Sequence, residues 1–241
     1  MIPIQQEETI EIVSGTQTGY DGDIRALSIK VNAPLESALQ NEQIPAPLRA
    51  CLKASFRWQA RAEISLERSL RSPGLAPQWA GWLLAWDARL LFQDEGPAHL
   101  PLAEYLSQTS PDHGRLEALA IPIDVPGRCW GESHIRPTPA DRPIVSAMAV
   151  LDANHGQVIQ SAQLALTGVG RQPVLLSQSL ADLPGKTLDL RELERVVEMV
   201  LKEIEPHSNY QASSEYRRAM AAVASRRALE ACLKGANQHE Q

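Results

Sequence analysis

Few residues of this chain are grouped as chemistry requires. Six histidines are scattered, and no two have the spacing of metal ligands. Cys51, Cys129 and Cys232 lie too far apart for a zinc site or an iron–sulfur cluster. Gly168 and Gly170 follow an apolar run, as the glycines of a nucleotide-binding turn do. They lead into a second extended run and not a helix, so a dinucleotide-binding loop is excluded. No nucleophile elbow, Walker loop or paired-carboxylate motif occurs. Arg217, Arg218, Arg226 and Arg227 could form a basic face for a partner, but such pairs are more commonly solvent-facing helix positions. Trp79, Trp82 and Trp86 recur at helical spacing, which favours a face packed into a core over a partner surface. Glu7, Glu8, Asp21 and Asp23 read as solvated surface.

The elements that must position these residues belong to a globular chain. Its 241 residues suffice for one or two domains with a real core, and 44% of them are apolar against 22% charged. A net charge of −6 without a basic cluster argues against nucleic acid as a partner. No apolar run is long enough to span a membrane. The N-terminus lacks the basic and apolar regions of a signal peptide, and the sparse cysteines suit a reducing compartment, so the cytoplasm is expected.

Alternating polarity predicts strands at 9–13 and 24–31, around a turn-rich segment at 14–23. A short helix is expected near 35–39, a second from Pro47 to Phe56, and a third from Trp79 to Trp86 leading into a buried strand at 87–92. Residues 107–115 read as a loop and 116–125 as strand. Pro122, Pro126, Pro137, Pro139 and Pro143 then predict an irregular or edge-like stretch. Strands at 144–151 and 158–166 form a hairpin, and a third strand follows at 172–176. Asp189 with Glu192 forms a capping box ahead of an apolar stripe at Leu193, Val196, Val197, Val200, Leu201 and Ile204, and Pro206 stops that helix. A last helix, about 214–233, carries Met220, Val223, Ala224, Ala228 and Cys232 on one face. The fold class is therefore α+β, ending in a three-stranded antiparallel sheet with helices on one side.

Three segments in this order and spacing carry a family resemblance: the hairpin, Leu166-Thr-Gly-Val-Gly-Arg-Gln-Pro-Val174, and Ser213-Ser-Glu-Tyr-Arg-Arg218 with Arg226-Arg-Ala-Leu229. Together they resemble the C-terminal domain of the flavoprotein (medium) subunits of molybdenum hydroxylases, the group of carbon monoxide and xanthine dehydrogenases. Leu83-Leu-Ala-Trp-Asp-Ala-Arg89 and Leu100-Pro-Leu-Ala-Glu-Tyr105 also match that family.

The resemblance implies a partial FAD-binding (PCMH-type) second subdomain over residues 1–118, a C-terminal flavoprotein-type domain over 119–235, and a tail at 236–241. Relatives carry a segment of the form Gln-Ile-Arg-Asn-x-x-Thr-Ile-Gly-Gly-Asn-Leu, whose two glycines let backbone amides approach the flavin diphosphate. The matching stretch is Gln59-Ala-Arg-Ala-Glu-Ile-Ser-Leu-Glu-Arg-Ser-Leu70, where Glu67 and Arg68 replace the glycines. Arg61, Ser65, Leu66 and Leu70 are the remnant cofactor positions the resemblance implies. Arg61 and Ser65 also read as ordinary turn residues, because a cradle without glycines offers few free amides.

The aspartate that relatives place before the Leu-Leu-Ala helix has no counterpart, Pro77 and Gln78 lying there instead. No Gly-Gly pair occurs in the sequence, and the chain starts too late to hold the family's first glycine-rich loop. The expected function is that of a degenerate medium-subunit-like protein with a structural or assembly role, its FAD binding lost or weakened. Its implied partners are a molybdopterin large subunit and a [2Fe–2S] small subunit. The alternative is a working FAD oxidoreductase subunit passing electrons from an iron–sulfur relay to NAD or another acceptor. In that setting the tryptophans at 79–86 could stack the flavin. A third reading is an isolated module binding an unrelated small ligand.

Overall fold

The alternating and helical patterns fold, in the computed structural model, into nine strands and eight α-helices over residues 10–16, 23–93, 99–108, 114–154 and 157–236, the residues described here. In chain order they are β1 (Ile10–Thr16), β2 (Asp23–Lys30), α1 (Leu35–Gln40), α2 (Ala46–Ser55), α3 (Trp58–Glu63), α4 (Leu66–Arg71), α5 (Pro77–Ala85), β3 (Arg89–Gln93), β4 (Leu100–Pro101), α6 (Leu102–Ser107), β5 (Arg115–Ile123), β6 (Arg128–Ile135), β7 (Val145–Ala153), β8 (Ile159–Thr167), β9 (Val174–Leu175), α7 (Leu190–Glu203) and α8 (Ser214–Ala236). The expected α+β class is the observed one. Parts of the expected turns at 14–23 and 152–156, and of the loop at 107–115, fall outside the described residues.

Two compact units result. One comprises residues 1–72 and 87–124, the other 73–86 and 125–241. The first unit holds an antiparallel sheet of order β1-β2-β5-β3-β4. Leu27 and Ile29 on β2 and Leu119 and Ile121 on β5 are fully buried, the inward half of a period-2 pattern. Pro122 is tolerated in the central strand β5 because it lies beyond the stretch that β3 pairs, which ends at Ala120.

The second unit has a sheet of order β6-β7-β8-β9. The sequence led us to expect three strands here, and β6 is the fourth. It fits whole between Pro126 and Pro137, so the prolines bracket a strand instead of breaking one. Along β7, Val145, Ala147, Ala149 and Leu151 face the cluster formed with α7 and α8. Met148 points to the other face, where its Cε lies 1.9 Å from the position a Cβ on Gly81 of α5 would take. Helices therefore cover both faces of the sheet, not one as the sequence suggested. Trp79 and Trp82 on α5, and Trp86 after it, are 1%, 0% and 3% exposed, so this aromatic face is core.

The α8 face against the sheet is built of small residues, with Ala221, Ala224, Ser225, Ala228 and Cys232 all fully buried. This lets the helix backbone approach β6 closely at Gly131. Val223 and Met220, expected on that face, are only half-buried.

Candidate functional site

The stretch matched to the cofactor segment lies in the first unit as α3, a break at Ile64 and Ser65, and α4. Diphosphate cradles need free backbone N–H groups at a helix start. The first-turn amides of α4 are already engaged. Leu66 N–H donates to Ala33 O at 2.9 Å, Glu67 N–H to Val31 O at 2.8 Å, and Arg68 N–H to Ser65 Oγ at 3.3 Å. The segment is thus stitched to the loop after β2, with an isolated bridge between Pro34 and Ser65.

The four sequence-derived positions have fold-internal partners. Arg61 donates from Nε to Glu36 Oε2 and from Nη1 to Phe56 O, both at 2.7 Å. Ser65 is the N-cap of α4. Leu66 and Leu70 are 1% and 2% exposed and belong to the core. Glu67 sits in the first turn of α4, where it already complements the helix dipole, and it pairs with Arg71 at 2.8 Å. A diphosphate at this point would meet a carboxylate and no free first-turn amide. The residues present do not fit that group.

The densest polar chemistry lies instead in the second unit, on the outward row of β6. Arg128 clamps Asp152 through Nε at 2.6 Å and Nη2 at 2.8 Å, with both side chains buried. Its guanidinium stands 5.3 Å from the Trp86 ring centroid, and Trp86 is 6.0 Å from Trp130. We expect Asp152→Asn to cost about 2 kcal/mol in urea denaturation, because it removes the counter-charge of a buried guanidinium.

Two residues further along, Glu132 Oε2 accepts from Trp82 Nε1 at 3.0 Å and lies 3.2 Å from His134 Nε2. The hydrogen bond from His134 leads in holding the Glu132 carboxyl below the usual carboxylate range. A depressed carboxylate stabilises the fold above its unfolded pKa, and that contribution is lost as pH falls through the folded value. The melting temperature of Glu132→Gln should therefore lie below that of wild type at pH 7, with the gap closing only as pH falls below the ordinary carboxylate value of about 4.5. An unchanged gap would contradict this assignment.

The opening of α8 explains the Ser-Ser-Glu-Tyr-Arg-Arg segment. Ser213 Oγ accepts from Tyr216 N–H at 3.2 Å and Ser208 Oγ from Ser214 N–H at 2.8 Å. Arg217 is 4% exposed, which corrects the solvent-facing reading at that position. Its Nη1 donates to Ile144 O at 3.0 Å and Gly168 O at 2.7 Å, and its Nη2 to Asn209 Oδ1 at 2.7 Å. Arg218 donates to Leu201 O. The motif is thus a structural clasp joining α8 to α7 and to the ends of β7 and β8. Sequence reasoning missed this role and the β6 row. The row's alternation of Arg128, Trp130, Glu132 and His134 with Cys129, Gly131 and Ser133 was the available signal.

The second unit is a four-stranded sheet under a small-faced final helix fastened by an arginine clasp. Residues 136–232 match the family model for the CO dehydrogenase flavoprotein C-terminal domain, and the chain resembles the medium subunits of molybdenum hydroxylases. It is 29% identical over 115 residues to the carbon monoxide dehydrogenase medium chain of Afipia carboxidovorans, a match covering 48% of this chain and only 40% of that protein's length.

Among solved structures, reconstituted CO dehydrogenase from Oligotropha carboxidovorans superposes with a TM-score of 0.72 at 22% identity, over 87% of this chain and 76% of the other. Carbon monoxide dehydrogenase from Hydrogenophaga pseudoflava gives 0.72 at 17%, over 92% and 78%. Quinoline 2-oxidoreductase from Pseudomonas putida 86 gives 0.69 at 18%, over 94% and 78%. At these identities the likeness establishes the fold. Among the described residues no helix is long and apolar enough to cross a membrane.

Proposed function

We propose that this chain is a medium-subunit-like component of a molybdenum hydroxylase type of complex, serving a structural or assembly role and holding no FAD of its own. In this reading residues 1–118 form an FAD-binding-type subdomain, 119–235 a flavoprotein C-terminal-like domain and 236–241 a tail. The partners are a molybdopterin large subunit and a [2Fe–2S] small subunit, and the compartment is the cytoplasm. One observation carries the loss of FAD: the α4 amides that would cradle a diphosphate are spent on Ala33 O, Val31 O and Ser65 Oγ, beside the Glu67 carboxylate. Arg61, Ser65, Leu66 and Leu70 then persist as parts of the scaffold. Affinity isolation of the tagged chain from its source cells tests the assembly role. Both partner subunits should co-elute in fixed ratio, and a chain that elutes alone contradicts it.

The second reading, a working FAD subunit relaying electrons from an iron–sulfur partner to NAD or another acceptor, is favoured by the match at 136–232 to a flavoprotein domain. It requires FAD to be held by contacts other than the α4 amides, or by a second polypeptide. A flavin bound there would supply the redox chemistry, with the protein positioning it.

A further inference from the structure

β6 is the open edge of the second unit's sheet. Among the described residues its one strand neighbour is β7. It runs for eight residues in unbroken register with β7 and holds no proline, lysine or bulge, the features that ordinarily blunt an edge. Ala153 N–H donates to Gly127 O at 3.1 Å, and antiparallel bonds recur at every second residue, so Cys129, Gly131 and Ser133 bond to β7. The N–H and C=O groups of Trp130, Glu132 and His134 therefore point out of the sheet edge. Among the described residues the N–H groups of Glu132 and His134 meet no acceptor.

We propose that this edge pairs antiparallel with β6 of a second copy of the chain, making a two-fold dimer whose sheet runs through both copies. The side-chain order of β6 selects that partner. A two-fold axis normal to the sheet keeps the outward row of one copy beside the outward row of the other. With the axis at Trp130, Arg128 of each copy stands opposite Glu132 of the other, and the two Trp130 rings meet across the axis. An axis at Gly131 would set Arg128 against His134, and one at Glu132 would oppose two carboxylates. The first register alone of these three places opposite charges face to face.

The side chains of the row are seated before pairing. Trp130 is 37% exposed, and its ring lies 6.0 Å from that of the buried Trp86. Glu132 Oε2 is engaged by Trp82 and His134, while half of that side chain stays open to a facing strand. Arg128 is shared with Asp152, so the cross-copy charge pairs add little, and the backbone bonds and the Trp130 contact carry the dimer. Those bonds join Trp130 to Trp130, and each Glu132 N–H to Arg128 O of the other copy. One strand pair and one aromatic contact make a small interface, which suits a weak, micromolar dimer.

Sedimentation velocity of the purified full chain over ~1–100 μM brackets a micromolar Kd. The wild type should pass from monomer to dimer across that range. Its Glu132 amide should exchange hydrogen roughly tenfold more slowly at the upper end, where about a tenth of the chains remain monomeric. Glu132→Pro deletes this edge-facing N–H and puts ring carbons where the second strand would lie, without touching a bond to β7. It should stay monomeric throughout. Glu132→Gln loses the same carboxylate but keeps the N–H, and should dimerise within about tenfold of the wild-type affinity. Should Glu132→Pro fail to fold, the wild-type exchange at two concentrations decides alone. A wild-type chain that stays monomeric, a Glu132 amide whose exchange ignores concentration, or a Glu132→Pro chain that dimerises like wild type overturns the proposal.

Discussion

Arg217→Ala should destabilise the second unit by about 4 kcal/mol in equilibrium denaturation. The guanidinium is nearly fully buried and donates three hydrogen bonds, to Ile144 O, Gly168 O and Asn209 Oδ1. Truncation strands acceptors away from water at about 1–3 kcal/mol each and leaves a void where the side chain lay. Alanine's better helix propensity returns only a few tenths of a kcal/mol, so the loss dominates. Arg217→Lys keeps the charge but cannot reproduce the planar fork, and should recover less than half of the difference. Arg218→Ala is the control. Its partner is the single carbonyl of Leu201 near the surface, and a cost below about 1 kcal/mol is expected. Equal effects at 217 and 218 would refute the clasp.

Gly131→Ala should be nearly as damaging, at about 3 kcal/mol or more. The added methyl would sit 2.1 Å from Ala228 O, 2.7 Å from Ala231 Cβ and 2.9 Å from Cys232 N. Two of these are backbone atoms of a long helix, and relieving the clash means moving α8 off the sheet it covers. Overpacking ordinarily costs about 1–3 kcal/mol, and rigid neighbours place this case at the upper end. Gly81→Ala offers a sharp contrast. There the nearest atom, at 1.9 Å, is the terminal methyl of Met148, which rotates aside. Within a helix alanine gains about 1 kcal/mol over glycine, which offsets the displacement of that methyl, so a net change within about 1 kcal/mol is expected. A thermal melt of both variants settles the ordering, and a Gly81 variant worse than the Gly131 variant would contradict the packing described.

Much of this architecture was legible in the sequence because its periods are simple. The 145–153 and 159–167 hairpin follows from strands bounded by turn residues. The 190–203 helix announces itself by Asp189, whose carboxylate accepts from Glu192 N–H at 2.8 Å. The tryptophan triplet at 79–86 read correctly as core.

What escaped notice did so for physical reasons. β6 was masked by flanking prolines, which forbid ladder donors only at their own positions. Arg217 was misread because charge on a helix usually means exposure, and only the tertiary fold shows three acceptors converging on it. The helix at 77–85 packs on a sheet that begins some forty residues later, a long-range contact no local window reports.

The stretch from Gln59 to Leu70 was only half legible. The substitutions at Glu67 and Arg68 were visible, but the capture of α4's amides by Ala33 O and Val31 O was not. That capture turns a missing motif into a positive structural arrangement. The second unit resembles the CO dehydrogenase flavoprotein C-terminal domain, and the α4 segment is bound into the scaffold of the first unit. An absorption spectrum of the purified chain, reconstituted with excess FAD and then desalted, tests the proposed loss of FAD most directly. The protein should be colourless, with no flavin absorption band. A yellow protein carrying one FAD per chain would contradict it.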